Sequence, residues 1–568
     1  MRCKWDMLGY FVLVFVMMFH LAASEDNSLQ REIDAALKSG KKEVRLAQQE
    51  YRLKKSVVLR GVNNVVFDGG GAKIIMTERK NAWMLFDCSN LTFQNFSIDY
   101  DPLPYTQGTV TAVNDTRIEF KIDEGYPQAK PENLGWNFHA FTPDGKYWKK
   151  YQTDIYGEPE AIDATHVRIR PIVKVPDLQV GDRLAMDRRN DSCIDMRNTK
   201  NLRFEDITVY ASPGCVFRAY HCDGGDIYRN VKILRGPKPI GAQAERLLSA
   251  NADAIHYGYC RKGVTIVGCE FAFMGDDSLN LHGNVTPIVE ISGIRSFRQI
   301  VGNRQKDSDL LRRMRPGDKI RVLARDTFRI LGEYTFRSYR RLDMVYSKEV
   351  RNRAYPDLAK QPAEEQTVYE LTVNEEIGFS GEAFWDTPSM ACSDFRVSDS
   401  YFHDHRARGL RVMASNGIIE NCRFERIKGP AISAGPEYAY WRESGWVENI
   451  IIRNCKFKDN GYASDGSPEA AERSYVPGVI CFYAQLVSYE DVGCNQRNIV
   501  IENNEIDGGP FAGIFLFSVD GAKLTGNQIS RVADSQNRPG AKWGFSGMAP
   551  VWMEQSKNVE IGNPDKKR

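Results

Sequence analysis

Asp276 and Asp277 stand side by side in Gly275-Asp276-Asp277-Ser278-Leu279-Asn280-Leu281-His282-Gly283. A third acid, Asp253 in Asn251-Ala252-Asp253-Ala254-Ile255-His256, lies 23 residues before Asp276. The rest of the chain repeats at nearly that period. If each period is one turn of a stacked coil, the three acids share one wall. Carboxylates held together cannot all ionise freely, so a proton is retained near neutrality. One protonated and one ionised carboxylate is the least that hydrolysis of a glycosidic bond requires. In a regular strand, adjacent side chains point to opposite faces. The chain must therefore bend at this pair, and Gly275 eases the bend. Two plainer readings compete. The acids could cap backbone N–H groups of a turn, or they could bind calcium with Asn280 adding an oxygen. Catalysis leads, and no metal or cofactor is expected.

Other polar residues could grip a sugar. His256, Asn280 and His282 follow the acids on the same segments. His403, His405, Arg406, Arg408 and Arg411 fall on the next coil after a long interruption, and one or two should face the same wall. Glu437, Tyr438, Trp441 and Trp446 form a loop dense in aromatics. A sugar ring offers an apolar face to such a platform, although core packing competes for each aromatic.

The elements that must position these residues come from one repeated phrase: polar, apolar, any, apolar, any, Asn/Gly/Asp, small, any, aromatic or aliphatic. Asn90 to Ile98, Asn201 to Val209, Gly263 to Phe271, Asn416 to Phe424, Asn449 to Phe457, Asn498 to Ile506 and Gly521 to Ile529 all follow it. Two short period-two strands flank an Asn, Gly or Asp that takes a bend other residues avoid. One unit cannot bury its apolar side alone, but stacked copies bury it continuously. The fold class is all-β, a right-handed parallel β-helix. Cys269, Cys422 and Cys455 share one phase and should stack inside it. A β-sandwich with accidental repeats is the competing fold.

Leu103 to about Arg189 and Val285 to about Met390 lack the phrase. Both carry a related piece, Gln179-Val180-Gly181-Asp182-Arg183-Leu184 and Arg315-Pro316-Gly317-Asp318-Lys319-Ile320. They read as two small antiparallel β-barrels hung on the coil. Ser28 to about Ala36 reads as a short capping helix. The organisation expected is a signal peptide (1–24), a cap with the first coils (25–102), a barrel (103–189), coils with the acids (190–284), a second barrel (285–390) and the final coils (391–568).

The chain has 568 residues, with 76 basic against 74 acidic, so no basic stripe points to nucleic acid. Arg2 and Lys4, the apolar run Leu8 to Phe19 and the small Ala22-Ala23-Ser24 read as a cleaved signal peptide. The apolar run falls short of the ~20 residues that span a bilayer. A periplasmic or external protein is expected. No C-x-x-C pair suggests zinc. Cys215 with Cys222, or Cys481 with Cys494, could pair under oxidising conditions.

Asn251-Ala252-Asp253-Ala254 followed by Gly275-Asp276-Asp277 resembles the Asn-x-Asp and Gly-Asp-Asp motifs of the polygalacturonase-like β-helix hydrolases. The wider text is more similar to glycoside hydrolase family 110, the α-1,3-galactosidases. Ile98 to Gly108, Ala252 to His256 and Met274 to Gly283 carry that likeness. The resemblance implies an inverting exo-hydrolase that frees terminal α-1,3-linked galactose from blood group B or linear ends. It implies Asp276 as the acid, with Asp253 and Asp277 activating water. The spacing of the residues does not by itself choose the acid. A polygalacturonase, a calcium-dependent β-helix lyase and a non-catalytic adhesin are the other readings.

Overall fold

The computed structural model describes residues 27–562, apart from 151–154, 173–174, 176, 303–309, 355–359, 464–476 and 536–547. The expected signal peptide lies outside the described residues.

Two long parallel sheets run side by side up the molecule. In the first, Phe93 pairs with Phe204, then Tyr228, Ile266, Val397, Ile419, Ile452, Ile501 and Leu524, one residue per coil. In the second, Trp83 pairs with Ile194, then Phe217, Ile255, Leu279, Leu410, Ile432, Ile480, Ile514 and Val551. These columns are buried and form one continuous interior. Residues at equal phase therefore stack. Phe67, Phe93, Phe204 and Tyr228 lie ring on ring at 5.1, 5.4 and 5.2 Å, and Phe402, Phe424 and Phe457 at 5.2 and 4.9 Å.

The bend residues explain the repeated phrase. Asn90, Asn201, Asn416, Asn449 and Asn498 have φ between 52° and 58°, the left-handed region that asparagine tolerates. Asn449 donates to Asn416 at 2.9 Å, and Asn498 to Asn449 at 3.0 Å, so the bends are tied along the outside. The cysteine column is also present: the Cys269 amide donates to Ser400 Oγ at 3.0 Å, and that of Cys422 to Cys455 Sγ at 3.5 Å. All eleven described cysteines are free, including Cys215, Cys222, Cys481 and Cys494, so neither suggested disulfide forms. The helix Ser28–Lys38 buries Leu29 and Ile33 against the first coil.

Between coils, strands Tyr105–Asn114, Arg117–Ile122, Asn137–Phe141, Ile155–Ala161, His166–Pro171 and Arg183–Asp187 close an antiparallel barrel. A second antiparallel unit is built from Ser296–Val301, Lys319–Ala324, Ile330–Leu342, Thr367–Val373 and Ala383–Asp386, and it curls around Phe297, Ile320, Phe336, Leu371 and Trp385. Their shared sequence piece is a shared turn. Asp182 accepts from the Gln179 amide, and Asp318 from the Arg315 amide, both at 2.7 Å. Gly181 and Gly317 beside them have φ 92° and 97°.

Candidate active site

The acids sit at the corner that leads into the second sheet. Phe217, Ile255, Leu279 and Leu410 are register partners. Two residues earlier on the same rungs stand Cys215, Asp253, Asp277 and Arg408, linked by Val216 N–H to Asp253 O and Ala254 N–H to Asp277 O, both 2.8 Å. Asp253 and Asp277 are thus vertical neighbours, and Asp276 flanks them. One carboxylate oxygen from each lies within 4.8 Å of the other two.

Gly275 matters here for a reason other than flexibility. A Cβ there would fall 2.5 Å from the Asn251 carbonyl oxygen and 3.2 Å from His139. The carbonyl of Gly275 accepts from Arg189 Nη2 at 3.0 Å and from Arg406 Nε.

Every carboxylate oxygen of the cluster meets an N–H group. Asp276 Oδ2 accepts from Arg189 at 2.6 Å, and its Oδ1 lies 2.9 Å from Arg406 Nη2. Asp277 Oδ1 accepts from the Arg408 amide at 2.7 Å, and its Oδ2 lies 3.1 Å from Arg408 Nη2. Asp253 Oδ1 accepts from the Asp277 amide at 3.0 Å, and its Oδ2 lies 2.6 Å from His256 Nδ1. This crowd of donors holds the three carboxylates in place. It also disfavours calcium, because a cation would have to displace these donors and face the arginines.

The three environments differ. Burial pushes Asp276 up, against the Arg189 charge and with that of Asp253. Burial pushes Asp277 well up, and the Arg408 charge only partly opposes it. Burial acts on Asp253 too, but the hydrogen bond and charge of His256, with Arg189, outweigh it and hold the group below the usual carboxylate range. Protonation is thus disfavoured on Asp253 and favoured on the Asp276–Asp277 pair, Asp277 being raised the more strongly. Asp276 is the more accessible of the two, with 16% of its side chain exposed against 2% for Asp277.

The wall continues past the acids. Arg218, His256, Asn280 and Arg411 are register partners on the outer face of the second sheet. His282 lies 3.1 Å from His256, nitrogen to nitrogen, and 4.0 Å from Glu443. Arg411 lies 3.2 Å from Glu437, and Arg408 3.7 Å. Among the described residues, the buried atoms Asn280 Oδ1, Glu437 Oε2, Glu443 Oε2 and Arg411 Nη2 find no hydrogen-bond partner, as expected of groups that await a polar ligand.

The structure thus brings His256, Asn280, His282, Arg408 and Glu437 to the acids. It does not bring His403, which ends a strand of the first sheet and is held by Asp404 at 2.7 Å and Glu270 at 3.3 Å. The chain turns at Asp404, φ 49°, before it reaches the wall. His405 is buried behind the acids, 2.9 Å from Ser278 Oγ. Trp441 is 60% exposed at the tip of the loop whose ends, Glu437 and Glu443, pair with each other, and its ring meets Tyr440 edge-on at 4.9 Å. Tyr438 and Trp446 are core residues: Tyr438 stacks on Phe328 at 4.5 Å and donates to Asp386, and Trp446 donates to the Phe328 carbonyl.

Two contributors had little sequence signal. Arg189 arrives directly behind the last strand of the first barrel, and Glu443 is pinned by Glu443–Ser444 pairing antiparallel with Gly283 and Asn284. Burial and the Glu437 charge push the Glu443 carboxyl up to about 7.

A family model described as a right-handed β-helix region matches residues 364–529. Alpha-1,3-galactosidase B of Bacteroides thetaiotaomicron is 25% identical over 89% of this chain and 79% of its own length. Alpha-1,3-galactosidase A of Shewanella woodyi is 25% identical over 88% and 78%. Among solved structures, the A-module of mannuronan C-5 epimerase AlgE4 from Azotobacter vinelandii is similar with TM-score 0.39 and 10% identity, covering 95% of this chain and 97% of that one. That likeness is too loose to carry an argument. The likeness suggested by the acid motifs extends along most of the sequence, and the chain is a right-handed β-helix protein similar over most of its length to proteins named alpha-1,3-galactosidase.

Proposed function

We propose that this protein is an exo-acting α-1,3-galactosidase that removes terminal galactose from blood group B or linear galactose-α-1,3-galactose ends with inversion. The observation that carries the reading is the convergence of Asp253, Asp276 and Asp277 within 4.8 Å under unlike electrostatic conditions. Likeness to proteins named alpha-1,3-galactosidase supplies the sugar and the linkage.

Asp276, the accessible member of the pair that keeps a proton, donates it to the leaving oxygen. Asp253 and Asp277, joined through the Asp277 amide, activate the attacking water between them: Asp253, which is held ionised, takes its proton, and Asp277 keeps it in place. Inversion goes with this division, in which one carboxyl group protonates the leaving oxygen while an ionised one activates a water. Asn280, Arg411, Glu437 and Glu443 offer unsatisfied donors and acceptors to sugar hydroxyls, and Trp441 offers a stacking face at the rim. A uronic acid fits less well, since Arg189, Arg406 and Arg408 are already committed to Asp276 and Asp277. We place the protein in the periplasm or outside the cell, on the basic start and apolar run of its first residues.

The test is a panel of α-1,3-, α-1,4- and α-1,6-galactosides, with and without fucose, beside oligogalacturonides. Galactose should be released from the α-1,3 ends, and proton NMR should show the β-anomer first. Release of galacturonate alone would overturn the assignment, and a first-formed α-anomer would overturn inversion.

A further inference from the structure

The two histidines behind Asp253 form a line whose protons can be placed from geometry. His282 Nδ1 lies 2.8 Å from the Gly283 carbonyl oxygen. A carbonyl only accepts, so His282 Nδ1 carries hydrogen, and in the neutral ring its Nε2 is a bare lone pair. That lone pair faces His256 Nε2 at 3.1 Å. Two lone pairs would repel at this distance, so one of the two nitrogens donates. The other nitrogen of His256 lies 2.6 Å from the Asp253 carboxylate, whereas that of His282 meets only a neutral carbonyl. The extra proton is therefore better placed on His256, where a carboxylate balances the charge. Tyr220 Oη at 3.3 Å is a second acceptor for the same N–H.

We infer that His256 is an imidazolium in the resting site, fixed by His282 behind it, and that it acts through Asp253 as a positioning residue that keeps this carboxylate ionised rather than as a sugar ligand. The inference rests on the assignment of Asp253 to water activation. The groups around the ring agree with it. Burial opposes its charge, as does Arg218, but the Asp253 hydrogen bond and charge, with Glu443, outweigh them and the net direction is upward; burial and the neighbouring His256 charge push His282 down to about 3. Cys215, one rung from Asp253, is neutral at ordinary pH, since burial raises its thiol. Asn280, the next rung beyond His256, is uncharged. The arrangement solves a problem the site creates for itself: with three acids together, the water-activating one needs its own cation if the proton is to reside elsewhere.

The inference is tested in two ways on the full chain. The first needs no activity. In protein labelled with 15N-histidine, the nitrogens of the eight histidines are assigned through His256→Gln and His282→Gln. At pH 7.5 His256 should show two protonated nitrogens and His282 one; a neutral His256 ring would overturn the inference. The second uses turnover. In His256→Gln the acidic limb of the kcat/KM profile should move to higher pH, because Asp253 loses the charge that depresses its pKa. The fall should lie mainly in kcat, and the melting temperature confirms folding. His282→Leu, which removes the acceptor, should shift the limb as His256→Gln does. A rise in KM with an unmoved acidic limb would assign His256 to sugar binding and overturn the inference. If the parent releases no galactose, the functional reading fails on its own and the 15N result still decides the state of His256.

Discussion

Asp276 illustrates how one side chain can be pulled in opposite directions. Its two oxygens are held by Arg189 and Arg406, yet burial and the Asp253 charge raise its pKa. Asp276→Asn keeps the shape and loses the transferable proton, so turnover should drop by about 10²–10⁴-fold, the usual size of general acid catalysis. An activity within a few-fold of the parent would remove Asp276 as the acid. Arg189→Ala gives the complementary result. The Arg189 charge lowers the Asp276 pKa, so its removal raises that pKa. An acid that must be protonated then stays so to higher pH, and the alkaline limb of the kcat/KM profile should move upward. A downward shift would contradict the electrostatic account.

At the scale of elements, two turns carry the function. The first is at Gly275, where a methyl group would enter the Asn251 carbonyl. Gly275→Ala should cost about 1–3 kcal/mol, the usual penalty of overpacking, and should displace the acids that follow. Chemical denaturation with turnover in parallel checks both. The second is the external asparagine ladder. Asn449→Ala places a Cβ-bearing residue without a local hydrogen bond at φ 58° and breaks two rungs. The cost should be about 1–2 kcal/mol with turnover unchanged, since this ladder lies on the first sheet. The sequence shows these elements because they obey simple periodicity: the phrase that spaces Asn90, Asn201 and Asn449 is the bend itself. It does not show His403 turning away, because strand alternation says nothing about the corner at Asp404. It leaves Tyr438 and Trp446 open between platform and core, since an aromatic-rich loop reads alike whether it lines a cleft or, as here, plugs a core around Phe328.

For the whole molecule, the coil was legible and its attachments less so. A repeat announces itself through self-similarity, and Asp253 and Asp276 were readable as neighbours for that reason. Arg189 and Glu443 come from an inserted barrel and a returning loop, whose docking onto the wall is a long-range event with no local pattern. The redox state is likewise set globally. The eleven described cysteines are unpaired and mostly buried in columns, so a reducing agent should leave the melting temperature unchanged. A drop of several degrees would reveal a cross-link.

The strand Leu279–Ile288 serves three assemblies in ten residues. Its first part is a rung beside Leu410, its middle pairs with Glu443 and Ser444, and its end runs beside Ala383–Asp386 in the second antiparallel unit. This makes it the seam along which the molecule can be re-tailored. A foreign insertion spliced beyond Ile288 and before Ala383 would leave the acid-bearing rungs in place but remove Phe328, on which Tyr438 and Trp446 rest, whereas a cut at Gly283 would release the Glu443 loop and unmoor His282 together.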